Sequence, residues 1–200
     1  MKNILFTLAL LISVVSFGQT AEEYFDRGYD KAESKDYYGA ISDYTKAIEL
    51  DPNEAVAYYN RGISKHNLKD YYGAISDYTK AIELDPNYFT AYANRGISKK
   101  ELKDYSGAIA DYTKAIELDP NFANAYYSRG LSKDDLKDFN GAISDYSKAI
   151  ELDSNYVDAY INRGVSKDNL KDYYGAISDY NIAIELDPNE AVAYYNRGIS

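Results

Sequence analysis

Every proline in this 200-residue chain falls on one lattice. Pro52, Pro86, Pro120 and Pro188 are 34, 34 and 68 residues apart, and Ser154 stands in the slot that the wider gap skips. The eleven glycines after Gly18 keep the same period. Gly28, Gly62, Gly96, Gly130, Gly164 and Gly198 form one line, and Gly39, Gly73, Gly107, Gly141 and Gly175 the other. A repeat of this length is one supersecondary unit, too small to bury a core alone, so the copies must stack. With proline at position 32, five complete units run 21–54, 55–88, 89–122, 123–156 and 157–190, and ten residues of a sixth run from Ala191 to Ser200.

The pattern inside a unit predicts two helices. In the second unit Ala57, Tyr58, Arg61, Gly62 and Lys65 recur at helical spacing, and Ala74, Tyr78, Ala81 and Leu84 do so again further on. Asp70 is a good N-cap for the second helix, and Asp85-Pro86-Asn87 breaks the chain before the next unit. Gly62 and Ala74 carry almost no side chain, which lets the two helices approach closely.

These residues resemble the tetratricopeptide repeat (TPR) pattern W-x2-L-G-x2-Y…A-x3-F…P. Here it reads Tyr58-x2-Arg61-Gly62-x2-Lys65…Ala74-x3-Tyr78…Pro86, and it recurs across residues 21–200. The departures are Tyr for Trp, Arg for Leu, Lys for Tyr, and Tyr for Phe. The resemblance implies an all-α, right-handed superhelical solenoid of antiparallel helix pairs, with the first helices lining a concave groove. It implies no catalysis.

Composition narrows the function. Without cysteine there is no disulfide, thiolate zinc site or cysteine nucleophile, and the single histidine, His66, cannot build a histidine metal cluster. A net charge of −10 argues against nucleic-acid binding. No GxxxxGK loop occurs. The segment Asp138-Phe139-Asn140-Gly141 fails as a calcium loop, since Leu136 and Ser147 stand where ligands belong. No catalytic residue, metal or cofactor is expected.

Charges at fixed repeat positions nearly cancel, so the excess acid comes from variable ones. Five of these, Glu22, Glu23, Asp26, Asp30 and Glu33, sit on the first helix of the first unit. Glu23 replaces the alanine of all other units (Ala57, Ala91, Ala125, Ala159, Ala193), as suits an end with no preceding hairpin. An acidic docking patch is the functional alternative. Arg27, Arg61, Arg95, Arg129 and Arg163, set against Asp43, Asp77, Asp111, Asp145 and Asp179, predict a ladder of ion pairs along the stack; the alternative is that both sets reach solvent.

The two ends differ. Lys2, an apolar run over Ile4–Phe17 and Ser16-Phe17-Gly18 read as a secretory signal peptide cleaved after Gly18, too short to span a bilayer as a helix. The expected address is therefore outside the cytoplasm, periplasmic or secreted, with a retained membrane anchor as the alternative. At the other end Ala191–Ser200 repeats Ala55–Ser64 without a polar cap, so a longer natural chain is expected.

Helical geometry and the family resemblance together place positions 2, 5, 9, 12 and 13 of each first helix on the concave wall. Position 5 offers Phe25, Tyr59, Tyr127 and Ile161; position 9 offers Tyr29, Ile63, Ile97, Leu131 and Val165. Positions 12 and 13 add His66, Asn67, Lys100, Asp134, Asp135 and Asp168. The expected site is an apolar and tyrosine stripe with an acidic rim, binding a protein or peptide and preferring a basic one. Alternatively position 9 packs between neighbouring helices. The Asn and basic clamp that some family members use for a peptide carboxylate is missing. The expected function is a non-enzymatic, exported interaction scaffold. The alternatives are a glycan-binding envelope protein using Tyr59, Tyr127 and Tyr195 as platforms, or the docking part of a longer enzymatic or signalling chain.

Overall fold

The computed structural model describes residues 19–200, so the expected signal peptide, Met1–Gly18, lies outside the described residues. Among the described residues there are eleven helices and no strand. The first helices of the units are α1 (Ala21–Glu33), α3 (Ala55–Asn67), α5 (Phe89–Glu101), α7 (Ala123–Asp135), α9 (Val157–Asn169) and α11 (Ala191–Ile199). The second helices are α2 (Tyr37–Leu50), α4 (Tyr71–Leu84), α6 (Tyr105–Leu118), α8 (Phe139–Leu152) and α10 (Tyr173–Leu186). No described helix is long and apolar enough to cross a membrane.

One turn geometry joins the two helices of every unit. At the end of α3, Lys69 N–H donates to the His66 carbonyl (2.8 Å) and Asp70 N–H to that of Lys65 (2.9 Å). This pair of bonds is a Schellman motif, which needs a left-handed residue just past the helix. Lysine fills that place in all five turns: Lys35, Lys69, Lys103, Lys137 and Lys171 have φ between 61° and 66°. The next residue, Asp70, then caps α4 by accepting from Gly73 N–H at 3.0 Å. The turn thus closes one helix and opens the next within two residues. Because a side chain in the left-handed region is strained, Lys103→Gly is expected to stabilise the array by a few tenths to about 1 kcal/mol. A higher urea midpoint with unchanged m-value checks this.

Between units the break is also side-chain driven. Asp85 Oδ1 accepts from Asn87 N–H at 2.9 Å, and Asp153 does the same for Asn155 at 3.0 Å. The second turn forms with Ser154 in place of proline, so the aspartate, common to both, supplies the geometry.

Within a hairpin the contact is a ring in a notch. Tyr44, Tyr78, Tyr112, Tyr146 and Tyr180 are each at most 1% exposed. A Cβ on Gly62 would lie 2.7 Å from the Tyr78 ring, and one on Gly130 2.6 Å from that of Tyr146. The glycine line therefore admits a tyrosine ring rather than a second backbone. Between units, the alanines Ala57, Ala91, Ala125, Ala159 and Ala193 are all but fully buried. Ala91, for example, packs on Ala81 and Ile82 of the preceding second helix.

Three of the four departures from the family pattern form one network. Arg61 reaches Asp77 with two bonds, Nε to Oδ2 at 2.9 Å and Nη2 to Oδ1 at 2.7 Å. Lys65 Nζ reaches the same carboxylate at 2.7 Å, and the guanidinium lies 5.5 Å from the Tyr58 ring centre. Arg61 Nη1 also donates to Thr45 of the preceding unit at 3.1 Å. Tyr, Arg and Lys in the Trp, Leu and Tyr slots thus act together on one buried aspartate. Arg95, Arg129 and Arg163 repeat the arrangement with Asp111, Asp145 and Asp179. The expected ion-pair ladder is present, and lysine is a third member that its spacing did not reveal.

In the first unit the hydrogen bond from Arg27, joined by Lys31, holds the Asp43 carboxyl below its usual range against the opposing effect of burial. A folded-state pKa below the unfolded one contributes stability that is complete above about pH 4 and is lost as pH falls further. Asp43→Asn should therefore flatten the loss of stability on acidification from about pH 5 to pH 2. Urea titrations of both proteins across that window measure it.

Candidate peptide-binding groove

Among the described residues, first helices touch one another from unit to unit (α1 with α3, α3 with α5, and onward), whereas second helices contact only first helices. The stack therefore curves with the first helices on the inside. The inner wall carries two adjoining cavities of about 190 and 280 Å³, both bounded by Asn94 and Ile97. Tyr59, Ala93, Phe122 and Ser128 help to line the first; Ile63, His66 and Tyr78 complete the second.

Position 9 is neither fully core nor open. Ile63, Ile97, Leu131 and Val165 are half-buried, while Tyr29 at the first unit is 50% exposed. Position 5 is more enclosed than its sequence suggests. The Tyr59 ring lies 4.8 Å from that of Tyr88 and 5.9 Å from that of Tyr78, and its hydroxyl accepts from Asn94 Nδ2 at 2.8 Å. Tyr127 repeats this with Tyr156 at 4.8 Å and Asn162 at 3.0 Å. Phe25 is half-buried beside Tyr44, and Ile161 is only 6% exposed. Tyr59 and Tyr127 are thus wall elements rather than free stacking platforms, because a neighbouring ring already covers one face; Tyr195 is 68% exposed.

The acidic rim is largely committed to structure. Asp134 accepts from the Tyr146 hydroxyl at 2.7 Å and lies 2.8 Å from Ser166 Oγ of the next unit. Asp168 does the same with Tyr180 and Ser200, at 2.7 and 2.6 Å. Burial raises the pKa of Asp134, against the hydrogen bonds from Tyr146 and Ser166. His66 occupies the same position in the second unit: its Nδ1 is 2.9 Å from Ser98 Oγ, its ring meets Tyr71 edge-on, and burial lowers its pKa. Position 12 is therefore an inter-unit tie. Lys100 breaks the series: among the described residues it reaches only Asp135, at 3.8 Å, and the buried Tyr112 hydroxyl is left without a hydrogen bond. Asn67 is exposed and bonds back to the Ile63 carbonyl at 2.9 Å.

Sequence reading missed three sets of wall residues. These are the position-6 asparagines Asn94 and Asn162, the buried serines Ser98 and Ser166 at position 10, and the closing aromatics Tyr88, Phe122 and Tyr156 at position 34. The first two sets were visible as periodic polar residues, but their partners lie one unit away. Burial pushes Tyr88 and Tyr156 up to about 12, so both keep their hydroxyl protons at neutral pH. Among the described residues no cluster of His, Asp and Glu has metal-binding geometry.

Antiparallel helix pairs stacked at a 34-residue period, with first helices forming an inner wall, define a helical-repeat scaffold for protein interaction. The chain belongs to the tetratricopeptide repeat family. Models of that family match residues 55–88 and 123–156, 23–69 and 98–133, 77–110, and 157–190. Among solved structures, MamA protein is 27% identical with a TM-score of 0.78, covering 86% of this chain and 93% of that one. MamA 41-end from Desulfovibrio magneticus RS-1 is 24% identical with a TM-score of 0.81, over 87% and 98%. YrrB, described as a TPR protein with an unusual peptide-binding site, is 23% identical with a TM-score of 0.76, over 89% and 92%. The last two share the fold. No curated protein sequence matches the chain.

Proposed function

We propose that this protein is an exported, non-enzymatic scaffold that holds a peptide or protein segment along its inner wall. The observation that carries this reading is the pair of cavities meeting at Asn94 and Ile97, mainly apolar and bordered by side-chain amides and hydroxyls. Apolar floor with a few fixed polar groups suits a segment whose side chains enter and whose backbone needs partners. With Asp134 and Asp168 engaged and Asp135 facing Lys100, the carboxylates left for a basic ligand on this wall are Glu33 and Glu101, both exposed.

Capture from an envelope fraction by the immobilised array tests this reading. Ile97→Asp should reduce retention of the specific partner at least tenfold, while Tyr72→Asp, on a second-helix tyrosine that is 76% exposed, should leave it unchanged. Equal retention by both would refute the groove. Export rests on the short apolar run and on the small residues Ser16 and Gly18 around Phe17. Mass spectrometry of the native protein should find an amino terminus at Gln19, and an intact Met1 would refute cleavage.

A further inference from the structure

At the amino-terminal end of the inner wall the structure leaves a crevice of about 500 Å³ between α1, the end of α2 and the start of α3. Its floor is Phe25, Ala47 and Ala57, and its rim is Glu22, Asp51 and Glu54. The second, third and fourth units show what can close it, whereas the fifth has Glu190 at position 34 and Ile161 rather than a ring at position 5. Position 34 is Tyr88 in the second unit and Tyr156 in the fourth, and each lies 4.8 Å from the position-5 ring of its own unit, Tyr59 or Tyr127. In the third unit Phe122 closes edge-on against Phe89 at 5.2 Å. The first unit has the position-5 ring, Phe25, but Glu54 at position 34. Phe25 packs against Tyr44, at 5.6 Å, and among the described residues no closing ring covers it.

The rim carries the second half of the signal. Glu22, Asp51 and Glu54 are exposed, and among the described residues none of them is in an ion pair. Asp51 and Glu54 accept only local backbone N–H groups, from Asn53 and Val56. Three carboxylates around an aromatic floor favour a group that is flat and apolar at its tip and positively charged beside it.

We infer that this crevice takes an aromatic side chain of a partner protein, flanked in the partner's sequence by lysine or arginine. The ring replaces the closing aromatic that the second and fourth units supply internally, and the flanking cations meet Glu22, Asp51 and Glu54. The inference rests on the reading of the inner wall as a binding surface, and it adds an anchor site and a residue preference at one end of it.

The test uses the full chain and a fluorescein-labelled peptide Gly-Ser-Lys-Tyr-Lys-Ser-Gly, with Lys-Ala-Lys and Glu-Tyr-Glu versions as controls. Anisotropy should show binding of the first peptide at least tenfold tighter than of either control, weakening with salt. Glu54→Tyr installs the residue that the second unit carries naturally at this position, so it should fold, close the crevice and abolish binding. Glu22→Gln should weaken the Lys-Tyr-Lys peptide several-fold. No preference for that peptide, or binding unchanged in Glu54→Tyr, would overturn the inference. If Ile97→Asp then still releases the envelope partner, the groove reading survives that failure.

Discussion

Tyr146→Ala is expected to destabilise the array by about 3–5 kcal/mol, the range for removing a large buried aromatic. The ring is fully buried in the notch at Gly130, its hydroxyl donates to Asp134 at 2.7 Å, and it lies 5.8 Å from the Tyr127 ring. Alanine leaves a cavity between α7 and α8 and strips a partner from a half-buried carboxylate that also ties into Ser166. Stability in a stack is a sum of units and interfaces, so the loss should be local. Urea denaturation followed by circular dichroism should split into two transitions, with hydrogen exchange accelerated first in α7 and α8. Phenylalanine variants separate ring from hydroxyl. Tyr146→Phe should cost roughly 2 kcal/mol, as for a hydrogen bond to a charged group. Tyr112→Phe should be neutral or slightly stabilising, because that hydroxyl is buried without a partner, Ser128 lying near it but out of bonding geometry. Equal losses in the two would contradict the position-12 tie.

Asp77→Ala should cost about 3 kcal/mol, at the lower end of the range for breaking a buried pair because its partners keep some access to water. The aspartate is 3% exposed, while the side chains of Arg61 and Lys65 keep 16% and 20% exposure. Its removal leaves two cations beside each other, one of them held against Tyr58 and Thr45. The repulsion identifies the cause: adding Lys65→Met to Asp77→Ala should recover about 1 kcal/mol by removing one of the two cations. A double-mutant cycle by chemical denaturation measures the coupling. A double mutant less stable than Asp77→Ala would mean that Lys65 contributes packing rather than charge.

Much of the architecture is written in short-range periodicity. Pro86, Gly62, Ala74 and Asp70 mark a break, a notch, a contact and a cap, and each depends on neighbours within one unit. The arginine and aspartate lines were readable for the same reason, since position 7 faces position 23 of its own hairpin. Lys65 joined the aspartate unforeseen, because a long flexible side chain can turn to solvent or to a carboxylate, and spacing does not choose. The positive φ at Lys69 was likewise hidden, since glycine is the usual marker of that turn and is absent there.

The sequence alone determined the unit, its length, its two helices, the family and the charged ladder, because each follows from contacts that repeat inside 34 residues. Only the tertiary structure decided the face of the groove. Asp134 reaches Ser166 and Tyr59 meets Asn94 through the angle at which one hairpin sits on the next. That angle is set by many interlocking side chains at once, so no single residue pattern encodes it, and the same aspartate can line a rim or lock two units together.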